Sequence, residues 1–169
     1  MADAVFKPKF ATGGIAVTIT MDSLATSSTS VSGRSGVIID NTVTRYDMID
    51  VHVTAVVTGV GSIGTAPTLY LYAYGTILAA DGTTDLYPSP VTSGDAAIVI
   101  EPDKLVYVGA MTLTAVGGTY KKIFKIAPAF SGSIPRKWGL IVINTCGLAL
   151  AAAGNSIVFY GSNGEAVTT

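Results

Sequence analysis

The sequence predicts a single antiparallel all-β domain, a β-sandwich or jelly roll of about 8–10 short strands, on three observations. Apolar and polar residues alternate with period two in a series of separate segments. Those segments are dominated by β-branched and aromatic residues and end in turn chemistry such as Asp81–Gly82, Gly117–Gly118 and Asn163–Gly164. No window carries a 3.6-residue apolar stripe with helix caps.

In chain order, residues 1–14 are expected to form an extended N-terminal arm or edge strand, and residues 15–169 the sandwich. The first alternating run is "GIAVTIT" (14–20). The stretch "SLATSSTSVSGRSG" (23–36) is rich in Ser and Thr and poor in large apolar groups, so it reads as a connecting segment after an N-terminal strand, with an exposed strand, a loop or an arm lying on a neighbour as alternatives. "YDMIDVHVTAVV" (46–57) places Ile49, Val51 and Val53 on one face and Asp50, His52 and Thr54 on the other. "TLYLYAYG" (68–75) sets Leu69 and Leu71 against Tyr70, Tyr72 and Tyr74. Further strands are expected in "AAIVIE" (96–101), "LVYVGAMTLTAV" (105–116), "TYKKIFKIA" (119–127), "RKWGLIVIN" (136–144) and "NSIVFYG" (155–161), with a turn of helix conceivable only in "LALAAAG" (148–154).

Of the 169 residues, 49% are hydrophobic and only 12% charged, and the mean hydropathy is +0.54. A chain of this kind either spans a membrane or buries much of its surface against partners. No apolar stretch approaches the roughly 20 residues a spanning helix needs, and "MADAVFKPKF" lacks the pattern of a secretory signal. The expectation is a soluble chain that lives in an assembly, with no membrane partner. The net charge of −1 leaves no basic field for nucleic acid, and the single cysteine, Cys146, removes both an intrachain disulfide and the Cys/His sets of zinc sites.

Residues 59–64, Gly-Val-Gly-Ser-Ile-Gly, have the spacing of a dinucleotide fingerprint. That motif works because its last glycine opens a helix whose N-terminus holds the pyrophosphate. Here Thr-Ala-Pro and then an alternating strand follow Gly64, so the expectation is a flexible hairpin loop without nucleotide. His52, the one histidine, falls on a polar strand face with no nucleophile pattern to accompany it. Asp81, Asp85 and Asp95 lie in "ADGTTDLYPSPVTSGD", which lacks the ligand spacing of a calcium loop, so they are expected to be solvated turn residues. No catalytic, metal or cofactor residues are assigned. Tyr70, Tyr72 and Tyr74 are interface candidates, read first as core or subunit contact and second as a platform for sugar rings. Phe6, Lys7, Lys9 and Phe10 are the contact candidates of the arm. Trp138 is expected to anchor the core and Cys146 to be a buried or half-buried small residue.

Two stretches carry a resemblance. One is "SLATSSTSVSGRSGVIIDNTVTRYD" (23–47), with Gly33–Arg34–Ser35 and Asp40–Asn41–Thr42; the other is "FKIAPAFSGSIPRKWGLIVINTCGLALAAAGNSIVFYG" (124–161), with Phe130–Ser131–Gly132, Pro135–Arg136–Lys137–Trp138–Gly139 and Gly154–Asn155–Ser156. Together with "VTSGDAAIVI" (91–100), they resemble a recurrent family of small structural proteins of tailed bacteriophages. In that family a His usually follows the Gly-Asn pair, where this chain has Ser156. The resemblance implies a virion component without catalysis, assembled in the host cytoplasm. A compact sandwich with few charges then suits a capsid decoration (cement) protein, partnered with itself as a homotrimer and with the major capsid protein. A tail or fibre component, or a carbohydrate-binding module using the tyrosine face, are the alternative expectations.

Overall fold

Alternation is sharpest in the segment Met48–Val56, where Ile49, Val51, Val53 and Ala55 are buried and the residues between them are not. That pattern requires a strand with one face on a core. The computed structural model describes residues 4–11, 13–59 and 61–168. Among them the strands are β1 (Ala4–Phe10), β2 (Ile15–Ala16), β3 (Ser32–Ser35), β4 (Ile39–Asp40), β5 (Met48–Val56), β6 (Thr68–Gly75), β7 (Ile77–Leu78), β8 (Asp85–Leu86), β9 (Ala96–Val99), β10 (Val106–Thr112), β11 (Thr119–Lys125), β12 (Lys137–Asn144) and β13 (Ser156–Thr168). Among the described residues, helical structure is confined to two short 3₁₀ turns, Pro102–Lys104 and Ala127–Phe130.

The strands form two antiparallel sheets packed face to face, the expected all-β sandwich, with β7 and β8 paired as a separate two-stranded sheet. Sheet A has the order β1-β13-β5-β11, with β2 beside β13. Sheet B has the order β10-β6-β12-β3-β9, with β4 beside β12. The main core lies between them. Val51 and Val53 of β5, Phe124 of β11 and Ile157 and Phe159 of β13 meet Leu69 and Leu71 of β6 and Trp138, Leu140 and Val142 of β12. Trp138 is fully buried and meets Phe159 edge-on, ring centroids 5.7 Å apart, so it is the expected anchor. Cys146 is also fully buried, and its thiol faces the Leu148 carbonyl.

The glycine-rich loop corrects one expectation. β5 lies in sheet A and β6 in sheet B, so residues 57–67 carry the chain from one sheet to the other and do not close a hairpin. No helix follows Gly64; its N–H donates to the Cys146 carbonyl at 2.8 Å. Gly147, at φ +90°, permits that contact, because a Cβ there would sit 2.7 Å from the Gly64 nitrogen. The glycines serve a tight inter-sheet crossing, and the dinucleotide reading has no structural basis. The segment 148–154 likewise forms no helix; Leu150 makes a single bridge to Val57.

The Ser/Thr-rich segment differs from its expectation as well. Ser32–Ser35 is an internal strand of sheet B, lying between β12 and β9, with Gly33 and Ser35 buried. The three stretches that carry the resemblance therefore supply the adjoining strands β12, β3 and β9. Arg34 Nε reaches Asp95 Oδ1 at 2.6 Å, and the Ser35 hydroxyl donates to the carbonyls of Gly94 and Ala96.

Sheet B has a second, smaller core on its outer face. The excursion between β6 and β10 folds back there, so that Val91, Ile98 and Ile100 pack with Tyr74, Ile141 and Ile143. This explains why β12 reads as a continuous apolar run: it is covered on both faces.

Candidate functional site

Among the described residues, sheet A has no such cover. Its outer face is set by register: Ile123 of β11 and Val158 of β13 both lie opposite His52 of β5. The next row is Lys125, Asp50 and Tyr160, and the row beyond His52 in the other direction is Lys121, Thr54 and Ser156. The Tyr160 ring tilts against the His52 ring with centroids 4.6 Å apart. Lys125 reaches Asp50 at 3.4 Å, an exposed pair that contributes little to stability. The face presents Met48, Ile123 and Tyr160 at 54%, 56% and 42% exposure. A shallow cavity of about 460 Å³ lies over it, lined by His52, Thr54, Lys121, Ile123, Val158 and Tyr160. An apolar and aromatic spine rimmed by lysines, an aspartate and hydroxyls is the anatomy of a protein–protein contact face. His52 lies on the outer face as expected, with its ring tilted against that of Tyr160.

The expected contact residues divide. Residues 4–10 form an edge strand and not an unattached arm, because β1 pairs with the chain's own β13 from Ala4↔Thr168 to Phe10↔Ser162. β5 begins at Met48, opposite Ser162, so beyond that point β1 and β13 run on as a two-stranded ribbon. Phe10 is 71% exposed at the base of this ribbon, and Lys9 is exposed beside it. The side chains of Phe6 and Lys7 lie outside the described part of the molecule.

The tyrosine row takes the core part of its first reading. Tyr74 is buried, and burial, with the nearby Tyr87, pushes its phenol up to about 12. Tyr70 and Tyr72 are half-buried against the second core. Burial likewise raises Tyr72, with smaller contributions from Tyr107 and Tyr70. Only Tyr107, whose ring lies 5.6 Å from that of Tyr72, is exposed there. These rings form a wall under the excursion, not a flat row on which sugars could stack, and Tyr74 offers no contact surface.

The three aspartates do not converge, and two are not solvated as expected. Asp81 accepts from the backbone N–H groups of Thr83 and Thr84 and from the Thr84 hydroxyl, which holds its carboxyl at about 2. Asp85 instead binds Lys137 Nζ at 2.5 Å, with its side chain only 11% exposed. Asp95 takes Arg34, the Thr20 N–H and the Thr20 hydroxyl. Among the described residues no three His, Cys, Asp or Glu side chains gather to hold a metal.

Asp95 has a pH consequence. Burial opposes its charge, but the hydrogen bonds from Arg34 and Thr20 outweigh that and hold the carboxyl below its ordinary value. Its contribution to stability is therefore present above the ordinary carboxylate pKa of about 3.9 and is lost as pH falls through the lowered value. Asp95→Asn is expected to lower stability at pH 7 by about 1–2 kcal/mol. The same change should flatten the decline of the urea midpoint below about pH 4, read by urea titrations at a series of pH values.

Met48, Ile123, Val158 and Tyr160 were not singled out from the sequence. The available signal was Ile123 in "TYKKIFKIA", an apolar residue on the same face as Lys121 and Lys125. No family model, curated protein or solved structure matches this chain.

Proposed function

We propose that this chain is a non-enzymatic structural subunit of a virion, a decoration protein that seats on the head of a tailed phage. One observation carries the reading: of the sandwich's two outer faces, one is roofed by the chain's own excursion except at Tyr107, while the other leaves Met48, Ile123 and Tyr160 open. A chain able to cover one sheet face with its own loops and leaving exposed apolar and aromatic side chains on the other is built to have that face covered by another subunit. The low charge and the resemblance of the three strand-forming stretches to phage structural proteins point the same way.

The mechanism is mechanical. Apolar surface removed from water stabilises by about 25 cal/mol per Å², and a standard interface covers about 800 Å² per partner. A homotrimer holding several such contacts to the major capsid protein would bind adjoining capsid subunits together against the pressure of packed DNA. The β1–β13 ribbon, which extends past β5, is the second contact element, reaching toward a neighbouring copy. Co-sedimentation with heads stripped of this protein tests the reading: wild type is expected to bind saturably and Ile123→Glu to lose binding while keeping its thermal unfolding midpoint. Wild type binding tails and not heads would move the subunit to the tail. Saturable binding to neutral glycans without binding to virions would favour the carbohydrate module instead.

A further inference from the structure

A different part of the surface carries a site for a small ligand. The loop 41–46 is set by buried Asn41, whose Oδ1 accepts the Tyr46 N–H at 2.9 Å and whose Nδ2 donates to the Tyr46 carbonyl at 3.2 Å. The Asn41 N–H donates to the Arg136 carbonyl at 2.7 Å, which fixes this loop against the residues leading into β12. Opposite it, the 3₁₀ turn Ala127–Phe130 closes through Ser131 and Gly132, both at positive φ, with the Gly132 N–H on the Ala127 carbonyl at 2.7 Å. Between these two fixed loops lies an open cavity of about 400 Å³.

Arg45 and Arg136 both line it, together with Asp47, Ser133, Tyr46 and Ile134. Among the described residues neither guanidinium makes a hydrogen bond or an ion pair. Of the other cations, Arg34, Lys104, Lys125 and Lys137 each hold a carboxylate, while Lys122 donates to the Ala110 carbonyl. Asp47 does not neutralise the pair; one of its oxygens accepts the Gly164 N–H. Asp40, whose charge Arg136 feels, is occupied by the Thr42 N–H and hydroxyl.

We infer that this cavity binds a monosaccharide-sized ligand bearing one oxyanion, a carboxylate or a phosphate ester. Two guanidinium forks in one cavity match the oxygens of such a group. The free oxygen of Asp47 and the Ser133 hydroxyl supply an acceptor and a donor for ligand hydroxyls, which a bare inorganic anion would not use. The volume is at the small end of ligand pockets, fitting one sugar ring.

Calorimetric titration of the purified full chain at low salt tests this with glucuronate, glucose 6-phosphate, inorganic phosphate and neutral glucose. Saturable binding of either anionic sugar, absent for glucose and weakened about tenfold or more in both Arg45→Ala and Arg136→Ala, is the expected result. Whichever anionic sugar binds identifies the oxyanion. Both arginines are exposed, so the variants are expected to keep the wild-type unfolding midpoint, which thermal melts verify. Absence of saturable binding by both anionic sugars, or binding undiminished in the Arg45→Ala/Arg136→Ala double variant, would overturn the site. Inorganic phosphate matching glucose 6-phosphate would overturn the sugar assignment.

Discussion

Trp138→Ala is expected to lower the stability of this domain by about 3–5 kcal/mol, the range for emptying a large aromatic site in a packed core. Trp138 has no exposed surface, lies in a strand covered on both faces, and touches the Phe159 ring across the two sheets. Its removal leaves a cavity that neither sheet can close without moving the other. Trp138→Phe is expected to cost clearly less. It keeps much of the aromatic volume and removes an indole N–H that is buried without a hydrogen-bond partner, a group whose desolvation is uncompensated. Urea denaturation of the three proteins checks the order: wild type most stable, then Phe, then Ala, with Ala losing a large fraction of a typical domain's total stability.

Gly33→Ala is the second large effect. A Cβ at Gly33 would lie 2.3 Å from the backbone oxygen of Val142 and 2.8 Å from the Ile143 side chain. The first of these is main chain in the middle of sheet B and cannot rotate away, so β3 must separate from β12. Overpacking of this kind costs typically about 1–3 kcal/mol, and the fixed backbone places this site at the upper end. Since β3 also joins β9 to the sheet, the Ser32–Val99 ladder and the Arg34–Asp95 pair are expected to loosen with it. Hydrogen exchange should show faster exchange at residues 32–35 and 96–99, with residues 49–55 of sheet A less affected.

These two sites show what could be read in the sequence and what could not. Alternation marked β5 and β6 almost to the residue, because each has one face on the main core and its side chains report that directly. Trp138 was legible for the same reason. β3 was not, because "SGRS" contains no large apolar residue. Its burial comes from close backbone approach at Gly33 and from hydrogen bonding at Ser35 and Arg34, and both depend on partners more than fifty residues away. The connection at 57–67 looked like a hairpin since turn residues separate two strands, but local chemistry cannot say which sheet a strand joins. The tyrosine alternation was correctly placed opposite Leu69 and Leu71, whereas the second core that covers it comes from residues 91–100 and 105, a tertiary choice invisible to periodicity. The open face of sheet A was hidden in the opposite sense: His52, Asp50 and the lysines made it look solvated, and only the register brings Ile123, Val158 and Tyr160 together around them.

The claim that this open face seats the subunit on a phage head is tested most directly by a reconstruction of the virion at a resolution that separates β-strands. The account predicts density for this sandwich on the outside of the head, in trimeric clusters, with Met48, Ile123 and Tyr160 turned into a protein contact and the roofed face of sheet B turned to solvent. Heads on which the sheet A face points to solvent, or virions in which no density of this fold occurs on the head, would contradict it.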